Sequence, residues 1–61
     1  MNNIPTLEEQ FMIEEILNIA NRYGLKTEVI ESAEEILLER KGDESFTLLD
    51  AYYFAFKDWV K

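Results

Sequence analysis

The chain has 61 residues, 48 % of them apolar and 13 % aromatic, with 13 Asp and Glu against 6 Lys and Arg, so its net charge is −7. That length sits near the lower limit for a domain folding alone, and the negative field repels nucleic acid and anionic membrane surfaces while favouring a basic partner. Cysteine and histidine are both absent, which excludes disulfides and thiolate metal sites and removes the commonest metal ligand and general base.

Residues 1–5 read as a short tail on a single small helical domain spanning 1–61. Met1-Asn2-Asn3-Ile4-Pro5 has neither the basic start nor the apolar stretch of a signal peptide. No apolar run approaches the roughly 20 residues that cross a bilayer. A cytoplasmic protein is expected.

Thr6-Leu7-Glu8-Glu9 fits a capping box, so a helix is predicted over about 7–23. Its core stripe is Met12, Ile13, Ile16, Leu17, Ile19, Ala20 and Tyr23; its wet stripe holds Gln10, Glu14, Glu15, Asn18, Asn21 and Arg22. Gly24 stands where a left-handed residue ends a helix, with Leu25 able to pack back on Ile19 or Ala20. A second helix is predicted over about 28–41 with Thr27 as its cap and Val29, Ile30, Ala33, Ile36 and Leu37 facing the core. Ser32-Ala33-Glu34-Glu35 also fits a capping box, but the unbroken phase from Val29 favours the earlier start. Arg40 and Lys41 suit the negative end of that helix, and Gly42 ends it.

After the turn Gly42-Asp43-Glu44-Ser45-Phe46, Thr47 with Asp50 opens a third helix over about 48–60, with Ser45 as an alternative cap and with Lys57 and Lys61 late. At about 100° per residue this helix carries two apolar seams. One is Leu48, Tyr52, Ala55 and Trp59; the other is Leu49, Tyr53, Phe56 and Val60. A helix so broadly apolar must touch two neighbours at once. The fold class expected is therefore all-α, a compact three-helix bundle.

Residues that break their helix's stripe are the functional leads. Phe54 falls among Asp50, Lys57, Asp58 and Lys61; Leu7 and Phe11 lie one turn apart on the polar side of the first helix; Leu38 faces Glu31 and Glu34. Ile4 and the tail can fold over Leu7 and Phe11, and Phe54 can be an isolated exposed ring or touch the tail; otherwise these residues are an anchor for a partner or a homodimer seam. A second lead is the stripe Glu28, Glu31, Glu35 and Glu39, with Glu34 beside it. Its like-charge neighbours cost ~0.3 kcal/mol a pair, which a solubilising face tolerates and a surface for a basic partner uses.

Chemistry finds little support. Adjacent glutamates such as Glu14-Glu15 do not converge on a helix, Asp43-Glu44-Ser45 lacks calcium-loop spacing, and no glycine-rich phosphate loop occurs. No catalysis, cofactor or metal is expected. A helix-turn-helix around Gly24 would present the acidic stripe to DNA, so direct nucleic-acid binding is not expected either. The third helix's wet side is mixed, unlike that of a membrane-surface helix.

The helix order and the Gly24-Leu25 turn resemble the ubiquitin-associated class of three-helix domains; Arg22-Tyr23-Gly24-Leu25 stands where that class usually carries Met-Gly-Phe or Met-Gly-Tyr. The function expected is a non-enzymatic protein–protein interaction module binding through Phe54 with Asp50 and Asp58, or through Glu28, Glu31 and Glu35. The alternatives are a structural homo-oligomer joined through Leu7, Phe11 and Phe54, and a small acidic inhibitor, similar in size and charge to those phages make, that occupies the basic surface of a nucleic-acid-binding protein.

Overall fold

A computed structural model of the chain describes residues 5–60. Residues 1–4 and 61 lie outside that description, and with them the expectations that rest on Ile4 and Lys61. The backbone turns where side chains or glycines satisfy the free ends of its helices. Ahead of α1 (Leu7–Arg22), the Thr6 hydroxyl accepts from the Glu9 amide at 3.1 Å, and the Thr6 amide donates to Glu9 Oε1 at 2.9 Å. Two amides that a helix start leaves unpaired are thus bonded reciprocally. The far end closes in a Schellman turn: Gly24 has φ +72°, its amide donates to the Asn21 carbonyl at 3.0 Å, and the Leu25 amide donates to the Ala20 carbonyl at 2.9 Å.

That turn also launches the next helix, earlier than the sequence suggests. α2 spans Lys26–Glu39, with Leu25 at the cap position and no side-chain cap bond. The Schellman bonds already hold Leu25, and its carbonyl accepts from the Val29 amide at 3.0 Å. Thr27, the expected cap, lies inside the first turn, and Ser32 is mid-helix. α2 stops at Glu39, so Arg40 is its C-cap and neither Arg40 nor Lys41 lies in its last turn. Gly42 (φ +98°) belongs to the following loop. Asp43 organises that loop: its carboxylate accepts from the Ser45 amide at 3.1 Å and the Ser45 hydroxyl at 2.7 Å, and its amide donates to the Arg40 carbonyl at 3.0 Å. These local bonds compete with continued helix. Ser45 is thereby occupied, and Thr47 caps α3 (Leu48–Trp59) in a second reciprocal box with Asp50, both bonds at 3.1 Å.

The result is an all-α three-helix bundle in which α3 packs on both other helices, most extensively on α2. Among the described residues no helix is long and apolar enough to cross a membrane. The buried centre is Ala20 of α1, Val29 and Ala33 of α2, Phe46 of the second loop, and Ala51 and Ala55 of α3. Four of these six are alanines, and Val29 is the largest side chain to be wholly buried.

This centre corrects the expected faces. The two seams of the third helix left out Ala51, yet Ala51 and Ala55 are its buried residues, whereas Tyr53 is 50 % and Trp59 45 % exposed. Likewise α1 buries Ile13 and Ala20, while Met12 and Tyr23 of its expected core stripe are exposed. Helix backbones approach most closely where side chains are smallest. The large rings are then displaced to the flanks, where Ile16, Leu17, Ile36, Leu37, Tyr52 and Phe56 pack around the alanines. Phe46, expected in the turn, is buried because its amide returns to the Asp43 carbonyl at 3.1 Å and draws the ring inward.

Candidate interaction surfaces

Two surfaces hold most of the residues singled out by the sequence, and a third emerges from the packing. The first is the outer side of α3. Phe54 is 47 % exposed, but its ring stacks on Phe46 with centroids 6.0 Å apart and planes 10° from parallel. The Arg40 guanidinium lies 4.9 Å from the Phe46 centroid, Tyr53 meets Phe54 edge-on at 6.2 Å, and Lys57 Nζ lies 5.4 Å from the Tyr53 centroid. A ladder of three rings with a cation at each end therefore runs beside α3. Phe54 has a structural partner that the sequence did not reveal, because Phe46 lies outside any helical period. Of its expected neighbours, Asp50 is engaged by Thr47 and half-buried, and Asp58 is exposed.

The second surface is the outer side of α2. Glu31, Glu34, Glu35 and Glu39 are exposed there and Glu28 is half-buried. Among the described residues none of them is in an ion pair; the pair found is Arg40 with Asp43, at 4.0 Å in the loop. Glu34 lies close enough to Tyr52 to matter: the phenol titrates above its ordinary value, first through desolvation by burial and then through the negative charge of Glu34. Asp43 is held below the usual carboxylate value by its two bonds from Ser45, with Arg40 adding to them.

The third surface was not singled out by the sequence. A groove of about 420 Å³ runs between α1 and α3, lined by Met12, Ile16, Ile19, Leu49, Tyr53 and Phe56, with Glu15 and Asp50 as its acidic residues. Met12, at 54 % exposure, and Tyr53 open it to solvent. Leu7 and Phe11 lie on the same helix as Met12 and are 67 % and 62 % exposed. The groove brings part of the second seam of α3 together with part of the expected core stripe of α1. The signal for it in the sequence is an apolar arc on each helix wider than one small core can use. A hollow of similar size, about 430 Å³, lies at the α2–α3 loop, but its lining mixes Arg40, Lys41, Asp43 and Glu44 with Leu37 and Phe46. Among the described residues no three potential metal ligands cluster.

No protein-family model, curated protein or solved structure matches the chain.

Proposed function

We propose that this chain is a non-enzymatic protein–protein interaction module, a small acidic three-helix domain acting in the cytoplasm on a macromolecular partner. The observation that carries the reading is the apolar surface that α1 leaves open: Met12 at the lip of the groove to α3, and Leu7 and Phe11 on another side of the helix, are each more than half exposed. Large apolar side chains left open to solvent around a groove are what partners cover. The glutamates of α2, Glu28, Glu31 and Glu35 among them, supply a field that steers a basic partner. Phe54 contributes the part of its ring left free by Phe46.

A photo-crosslinking residue placed at Met12, at Phe11 and, as a contrast, at Glu35 tests this in cells. Adducts of higher mass from positions 11 and 12 are the expected result; their absence at all three positions refutes the reading. Self-association is the second reading, favoured by the exposure of Leu7 and Phe11 at the start of α1. It predicts that the cross-linked adduct is a second copy of the chain and that the solution mass falls on dilution.

A further inference from the structure

Resting on the interaction-module reading, we infer that the α1–α3 groove takes an amphipathic helix whose apolar stripe is flanked by Lys or Arg. Three observations select that occupant. The groove floor is Ile16, Ile19, Leu49 and Phe56, with Met12 and Tyr53 at its lips. It runs between two helices and spans Met12 to Ile19 on one of them, about 10 Å or two helical turns. An occupant helix bonds its own backbone internally and offers apolar side chains at i, i+3 or i+4, and i+7 to such a floor. An extended segment would instead lay unpaired amides and carbonyls against apolar walls, and the described residues contain no strand whose edge could receive them.

Charge narrows the class further. Glu15 and Asp50 line the groove, and Glu8 lies one turn before Met12 on the same side of α1. Lys57, beside Tyr53, is the cation near its mouth. A helix with basic flanks meets this rim with complementary charge, and the net charge of −7 draws it in. A second copy of the chain does not meet it. Its α1 presents Glu8, Glu14 and Glu15, its α2 the glutamate stripe, and its α3 Asp58 with Lys57 as a lone exposed cation, so among the described residues no helix carries an apolar stripe with basic residues on both flanks.

The test is selection from a displayed library of random peptides of about 16 residues, long enough for four helical turns. The selected peptides are then synthesised and titrated against the isotope-labelled full chain by NMR. The expected result is enrichment of amphipathic sequences with Lys or Arg beside the apolar positions. Amide shifts should centre on residues 12–19 and 49–56, and M12E/Y53E should lose at least tenfold in affinity while circular dichroism stays unchanged. E15K, a surface change that spares the apolar lining, should weaken basic peptides about three- to fivefold. Enrichment of neutral or acidic peptides that still lose binding to M12E/Y53E overturns the basic-helix inference and leaves the interaction module standing. Shifts confined to the Glu28, Glu31 and Glu35 side overturn the groove as the site. Absence of any enriched sequence counts against both readings.

Discussion

The two flanks of α3 are both built from large apolar residues, yet among the described residues a side-chain bond ties one of them to its neighbour and none ties the other. Towards α2, Tyr52 packs on the alanine centre and Trp59 Nε1 donates to Ser32 Oγ at 2.7 Å, tying the end of α3 to the middle of α2. Towards α1, Leu49, Tyr53 and Phe56 face Met12, Ile16 and Ile19 across a groove that stays accessible. Both flanks border the same alanines, so the difference lies in what joins the helices beyond them. On the α2 side a ring reaches a polar partner on the neighbouring helix. On the α1 side the described residues form no such bond, and bulky side chains line a gap without filling it. Apolar area alone does not close a seam.

Substitutions should separate these regions by size of effect. The largest is expected at the centre. Ala51→Leu forces a side chain between close backbones and should cost about 2–3 kcal/mol, enough to leave a domain of this size substantially unfolded because its total stability is only about 3–5 kcal/mol. Urea denaturation measures it. A midpoint unchanged from the parent would show that the alanines are not the closest approach. Val29→Ala, which removes the largest wholly buried side chain, should cost about 2 kcal/mol in the same assay.

A smaller loss is expected where α3 meets α2. Trp59→Phe and Ser32→Ala should each destabilise by ~1 kcal/mol, and the double variant by little more than either alone. Additive losses would mean that the two side chains act independently. Smaller still is the effect of opening the groove further. Met12→Glu should stay within about 0.5 kcal/mol of the parent, because that residue is already half in water, and Tyr53→Glu should cost about 0.5 kcal/mol through its lost edge contact with Phe54. A loss comparable to that of Val29→Ala would make the groove part of the folding core.

Titration adds a last contrast. The raised pKa of Tyr52 means that its contribution to stability is complete below the ordinary tyrosine value and is lost as pH rises through the folded value. Tyr52→Phe should abolish that alkaline loss, and phenolate absorbance locates the step. The lowered pKa of Asp43 acts at the other end: its loop bonds stabilise above the ordinary aspartate value and are lost as pH falls through the folded one. Asp43→Asn should flatten that acid limb.

Capping chemistry and periodicity are local, and they were legible in the residues alone. The Thr6 and Thr47 boxes, the left-handed Gly24 and three amphipathic stretches suffice for three helices in a bundle, because each is decided within a few neighbours along the chain. Where α2 begins was not legible, because Leu25 is held by α1 and not by a cap of its own. Nor was the burial of Phe46, which depends on a turn that Asp43 folds back. Hydrophobic period gives the width of an apolar face but not its centre. Tertiary packing chose Ala51 and Ala55 as the centre of α3, since three helices meet most closely through their smallest side chains. That choice displaced Met12 and Tyr53 to the surface, and with them it made the groove.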